Sequence, residues 1–266
     1  MDKGPALIVA FVVAIVSVSC IVGITLASED DENADRIGII GAMEGEVASL
    51  KDSMYISQKV TVAGMEFCIG TLDGKNVVIA QCGMGKVNAG ICANTMINQF
   101  HATRIINTGV AGSLAEVGIG DIVISTAGCQ HDFDVSPIGF QRAEIPYTGL
   151  KEFPADSKLI ADAERALATC APGTNFVKGL ICSGDQFIDS ASKKNAILEV
   201  FPDGICCEME GGAVAQTCYL NGVPFVIIRA ISDNPDGTGT DDYAEFEKEM
   251  ARKCANIVHY LVSNCS

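Results

Sequence analysis

The chain has 266 residues, 48% hydrophobic and 19% charged, enough to bury one sizeable core and too apolar for a disordered or fibrous chain. Asp and Glu number 33 against 18 Lys and Arg, a formal charge of −15 at pH 7. So acidic a chain is a poor partner for nucleic acid, acidic glycans or anionic lipid, and with no Trp and 6% aromatics it lacks stacking platforms for single strands.

The first feature in chain order is Ala6–Leu26, uncharged and mostly Val, Ile, Ala and Leu, after Lys3 and before the acidic run Ser28–Asp35. About 20 such residues can span a bilayer. Three readings stand: a retained anchor, a signal cleaved near Thr25-Leu26-Ala27, or a lipoprotein signal acylated at Cys20, which lacks the usual Leu three positions ahead. The expectation is a signal or anchor segment at 1–27, an acidic linker at 28–35 and one folded domain at 36–266. The domain is then exported to a periplasm or cell surface or tethered to a membrane through residues 6–26. A cytoplasm-facing anchor stays open as the lesser alternative, since Lys3 is the one flanking basic residue.

From Arg36 onward apolar runs alternate with helical periods. Ile37–Gly41 reads as a buried strand and Glu44–Ser53 as a helix. Val60–Ala63, Glu66–Leu72 and Asn76–Gln81 read as strands, with Asp73-Gly74 as a hairpin turn. Val87–Phe100 reads as a helix, Arg104–Thr108 as a strand ending at Gly109–Gly112, and Asp121–Ala127 as a strand. Ser136–Pro154 is a Gly/Pro-bearing loop of a length that is often functional. Ser157–Thr169 is a helix with Ser157 as its N-cap, and Phe176–Cys182 a strand. Then come helix Ala191–Val200, strand Gly204–Glu208, helix Gly211–Leu220, strand Pro224–Ala230 and helix Tyr243–Val262. This order predicts an α/β fold, a mixed β-sheet covered by helices on both faces, with no internal repeat and no domain boundary after Asp35.

The 12 cysteines show no C-x-x-C spacing, and Cys68, Cys82, Cys182, Cys206, Cys207 and Cys218 lie in or beside apolar runs. They read as buried free thiols. His101, His131 and His259 are scattered, so no metal site is expected.

In such sheets ligands bind beyond the carboxyl ends of strands. Those ends carry Glu44-Gly45-Glu46, Cys82-Gly83-Met84-Gly85-Lys86, Gly109–Gly112, Ser183–Ile188, Glu208–Gly212 and Arg229–Asn234. Taken singly, each has a plain structural role. Glu46, Glu208 and Glu210 suit first-turn or strand-end acids, Gly83 and Gly85 suit turns, and Phe187 suits a core. Ser232 and Asp233 before Asn234-Pro235 suit a turn or cap. Arg229, closing an apolar strand, requires a carboxylate partner in any reading. Together, carboxylates and glycine loops gathered at one edge predict a pocket.

The segments Ile37–Val47, Ser183–Ile188, Glu208–Glu210 and Arg229–Asp233, in order and at matching spacing, resemble the 5′-methylthioadenosine/S-adenosylhomocysteine nucleosidase family of the nucleoside phosphorylase/hydrolase superfamily. The likeness covers Arg36 to Ser266. It implies a nucleoside phosphorylase-like three-layer α/β/α fold with a mixed central β-sheet, and a homodimer. It also implies hydrolysis of the adenine–ribose bond of small nucleosides (methylthioadenosine, S-adenosylhomocysteine, 5′-deoxyadenosine) in methionine salvage, without metal or cofactor. By position, Glu46 matches the carboxylate that activates water and Asp233 the acid that protonates adenine N7, held by Ser232. Glu210 matches the grip on the ribose hydroxyls, Met209 the sugar face and Phe187 the ring stacked on adenine. The Ile188 backbone matches the group that reads the base edge. Tyr243 matches an aromatic near the 5′ end, and Ile138 and Pro146 match positions reaching a partner subunit's 5′ pocket. Two departures stand out: Cys82, beside Gly83, is placed where the family commonly has serine at the ribose and water site, and Ile138 replaces a commonly aromatic residue.

The chemistry asks for the same division. Adenine leaves readily only after N7 protonation, which needs a carboxylic acid whose pKa is raised toward the working pH. A second carboxylate must stay ionised to take a proton from water, as in inverting glycosidases. Glu46 and Asp233 are therefore expected to face one cavity without touching. The rivals are a purine nucleoside phosphorylase, a futalosine-type hydrolase and, from another class, a catalytically silent surface-binding lipoprotein.

Overall fold

Strands whose residues are apolar on both sides demand cover on both faces, and that requirement organises the molecule. The computed structural model describes residues 35–233 and 243–264, with side chains except those of 243–247. The expected leader and its Cys20, the linker short of Asp35, the Asn234-Pro235 turn and the Tyr243 side chain lie outside the described residues. The strands are β1 (Arg36–Gly41), β2 (Tyr55–Val62), β3 (Met65–Leu72), β4 (Lys75–Gln81), β5 (Arg104–Ser113), β6 (Ile122–Gln130), β7 (Glu152–Pro154), β8 (Phe176–Ser183), β9 (Gly204–Glu208) and β10 (Phe225–Asp233). The helices are α1 (Glu44–Ser53), α2 (Lys86–Asn98), α3 (Ser157–Cys170), α4 (Ala191–Leu198), α5 (Gly211–Asn221) and α6 (Tyr243–Asn264).

One mixed sheet runs β10-β6-β8-β9-β5-β1-β4-β3-β2, with β7 on β6. Because β10 also pairs in parallel with β5, the strands β5, β10, β6, β8 and β9 close into a ring, and β1, β4, β3 and β2 extend from it. Successive residues of each central strand serve opposite faces. Ile37, Ile39, Val77 and Ile79 join the core under α1, α3 and α6, while Ile40, Val78 and Ala80 join the core under α2 and α5. The α/β/α layering is thus the expected one.

Several boundaries depart from expectation. β2 starts at Tyr55 rather than Val60, because its mostly exposed residues hide the alternation of an edge strand. β5 runs through Gly109–Gly112 to Ser113, and β10 through Ser232 to Asp233, because the two strands pair with each other over that length, with a register shift between Ile231 and Asp233. The long loop holds a 3₁₀ turn at Ser136–Ile138 and the short β7. Asp156, not Ser157, caps α3: its carboxylate accepts the Leu159 N–H at 2.9 Å. The Asp73-Gly74 hairpin is as expected, both residues having positive φ (48° and 77°), the conformation that a two-residue type I′ turn requires.

Candidate active site

Glu46 lies in the first turn of α1 and does two jobs there. Its Oε2 accepts the N–H groups of Ala42 (2.6 Å) and Met43 (2.9 Å), closing the helix start as a third-position glutamate does. Its Oε1 accepts the Val110 N–H of β5 at 3.2 Å. Gly109 makes this possible, since a Cβ there would collide with the Glu46 carboxylate. Burial pushes the Glu46 carboxyl above its ordinary range, opposed by the Arg229 charge and these three backbone donors.

Asp233 ends β10, and its Oδ1 accepts the Ser232 hydroxyl at 2.7 Å. Burial raises its carboxyl too, opposed by the Ser232 bond. Glu46 and Asp233 line the same cavity, of about 360 Å³, and each carboxylate spends its hydrogen bonds elsewhere. That is the juxtaposition expected.

Phe187, Ile188, Met209, Glu210 and Ser232 line this cavity as well. Glu210 is the N-cap residue of α5, and its Oε1 accepts the Gly85 N–H at 2.8 Å. Burial and then the neighbouring Glu208 charge push its carboxyl well above the ordinary range.

Cys82 and Gly83 are absent from this cavity's lining. They line a second cavity, with Glu44, Lys51 and Glu66, while the charges of Glu46 and Glu210 still reach the Cys82 thiol. The Cys82 thiol is spent on the Gly83 carbonyl, 3.0 Å away. Ile138 and Pro146 are absent from the cavity's lining in the single chain, and Ile138 is 73% exposed.

Met84, Val110 and Gln186, in strand-end segments expected at the pocket but given no role there, also line the cavity, as does Cys207, which reads from the sequence as a buried thiol. Sequence reasoning passed over the support beneath the cavity. Arg229 Nη2 donates to Glu208 Oε2 (2.5 Å) and to Asn107 Oδ1 (2.6 Å), and Asn107 Nδ2 donates to the Ile40 carbonyl (3.0 Å). Glu208 further accepts the N–H groups of Glu210 and Gly211 and the Ser183 hydroxyl. An isolated buried ion is costly, and here the guanidinium and carboxylate are each hydrogen-bonded beyond their pair. The signal for this was Arg229 itself, which demanded an acid without saying which.

Two backbone N–H groups at the start of α2 would suit an external anion. The chain fills them itself: Gly85 N–H binds Glu210 and Lys86 N–H binds Asp185 at 2.8 Å. The Lys86 ammonium is taken by Asp132 (2.5 Å). The ten cysteines among the described residues are unbridged, and all but Cys170 are buried.

A family model described as Phosphorylase superfamily matches residues 36–263. A 5′-methylthioadenosine/S-adenosylhomocysteine nucleosidase of Shewanella halifaxensis is 44% identical over 228 residues, 85% of this chain and 98% of the relative. The crystal structure of the Neisseria meningitidis nucleosidase of the same name, in complex with methylthio-immucillin-A, is similar with a TM-score of 0.82 and 38% identity, over 86% of this chain and 99% of that one. Futalosine hydrolase of Helicobacter pylori is also similar, with a TM-score of 0.80 and 28% identity over 86% and 97%.

Proposed function

The chain belongs to the 5′-methylthioadenosine/S-adenosylhomocysteine nucleosidases of the phosphorylase superfamily, and from that premise we propose that it is a hydrolase cleaving the N-glycosidic bond of these nucleosides to release adenine. The observation that carries the reading is the pair of separately anchored carboxyls on one cavity, both raised by burial. Glu46 is surrounded by three N–H donors and a guanidinium charge, which favour its ionised form, so it is the base that takes a proton from water. Burial raises the Asp233 carboxyl toward the protonated form, so it is the acid that delivers a proton to adenine N7. Glu210, tied to Gly85, holds the ribose hydroxyls against Met209. Phe187 stacks on the base, and the Ile188 backbone reads its edge.

Water rather than phosphate is the nucleophile in this reading. A phosphate dianion entering here meets Glu46 and Glu210, while the α2 N–H groups and Lys86 are already bound to carboxylates. Adenine release from methylthioadenosine by the full-length chain is therefore expected at equal rates with and without phosphate, followed by chromatography. Release only with phosphate would make it a phosphorylase. A preference for futalosine over methylthioadenosine would move it to the other hydrolase class, and no release from any of these nucleosides would favour a binding protein.

A homodimer also belongs to this reading. Met84, Val87 and Ile91 beside and along α2, with Tyr219 and Leu220 on the adjoining α5, are large apolar side chains left exposed, and Met84 is at the cavity. A second copy covering them would bring exposed Ile138 and the neighbouring Pro146 toward the partner's cavity. Sedimentation is expected to give a dimer mass, reduced toward the monomer in Val87→Glu; a monomeric wild type overturns this.

A further inference from the structure

The segment carrying Gln186, Phe187 and Ile188 lies between β8 and α4 without regular secondary structure, and Phe187 is 59% exposed. Ile188 is buried in the core, while the Phe187 ring stands out from it. At the segment's start the Gly184 N–H donates to the Glu208 carbonyl (3.1 Å), and a further tie is the side chain of Asp132, just beyond β6. Its Oδ1 accepts the Lys86 ammonium (2.5 Å) and its Oδ2 the Asp185 N–H (2.9 Å), while the Asp185 carboxylate accepts the Lys86 N–H (2.8 Å). Three chain segments thus close a loop of charge-assisted bonds. They follow β4, β6 and β8, and β4 lies four places from β8 in the sheet. The Asp132 and Lys86 side chains are only 14% and 15% exposed, so solvent screens the pair little. A further tether, Lys193 to the Phe187 carbonyl at 3.2 Å, comes from a side chain 43% exposed. Burial raises the Asp132 carboxyl, but the Lys86 and Asp185 bonds outweigh it and hold the group below its ordinary range, as a committed acceptor should be.

We propose that the Asp132–Lys86–Asp185 clasp positions the base-stacking segment, so that Asp132 and Lys86 set affinity for the adenine moiety without touching it. The proposal rests on Phe187 and Ile188 contacting the base. Asp132 acts through the segment and is a positioning residue.

The test uses the full-length chain, the variants Asp132→Asn, Lys86→Met, Lys86→Arg and the double Asp132→Asn/Lys86→Met, with adenine as the binding probe. Losing a charge-assisted bond is expected to weaken adenine binding and raise KM for methylthioadenosine about tenfold, with kcat changed less than about threefold. Lys86→Arg, which keeps a charged donor, is expected to stay within about twofold of wild type. The double variant is expected to be no weaker than Asp132→Asn alone, since both changes open one clasp. Unchanged adenine affinity in folded Asp132→Asn and Lys86→Met, or a fall in kcat at constant KM, overturns the proposal. Should Asp132→Asn not fold, the contrast of Lys86→Met with Lys86→Arg decides it alone. A wild type that neither binds nor releases adenine overturns the functional reading and the clasp's role with it, whereas an active wild type with unaffected variants overturns the clasp alone.

Discussion

Asp233→Asn is expected to lower kcat for adenine release by about 10²–10⁴-fold, the range that a positioned acid contributes. The amide keeps the size of the carboxyl and can still accept the Ser232 hydroxyl that Asp233 Oδ1 accepts at 2.7 Å, so the end of β10 is left as it is. What disappears is the transferable proton. Stopped assays over pH give the second part of the result. Asp233 must be protonated to act, and burial raises its pKa, so wild-type activity falls as pH rises through that raised value. In Asp233→Asn that alkaline limb is expected to be lost. Near-normal turnover in the variant would remove Asp233 from the acid's role.

Glu46→Gln is expected to reduce kcat by a similar factor of about 10²–10⁴, from the opposite end of the reaction. Glutamine at this helix position can still accept from Ala42 and Met43 through its carbonyl oxygen, so the start of α1 survives. Its amide NH₂ then faces the Val110 N–H where Glu46 Oε1 accepted it, an uncompensated donor costing about 1–3 kcal/mol. A modest fall in melting temperature with a nearly complete loss of turnover is the expected signature. Glu46 must be ionised to act, and burial raises its pKa, so wild-type activity falls as pH drops through a value above the ordinary carboxyl range. Both limbs of the profile are thus displaced upward by desolvation. An acid limb unchanged in residual Glu46→Gln activity would assign the base elsewhere.

Much of the fold was legible because its signals are local. α1 and β9 have the expected bounds, Glu44–Ser53 and Gly204–Glu208, since apolar period and helix-start chemistry sit within a few residues. β5 and β10 outran their apolar runs because mutual pairing, not composition, decides where they stop. Asp156 took the cap from Ser157 because its carboxylate, one residue earlier, reaches the Leu159 N–H. For the site, motif position picked out Glu46, Glu210 and Asp233, which sit at strand or helix ends and line one cavity. Cys82 and Gly83 line a second cavity instead, which depends on how the chain after β4 packs and is not a local signal.

By itself, the sequence determined the order and type of the elements, the acidic and glycine-bearing strand ends, and the family likeness those ends carry, because periodicity and residue chemistry are properties of short stretches. Only the tertiary structure decided that Glu46 meets Val110, 64 residues away, that Gly85 holds Glu210, 125 away, and that Arg229 chooses Glu208. Burial and charge partners set the protonation of a carboxyl, and both are supplied by groups distant in the chain that meet only once the sheet has closed.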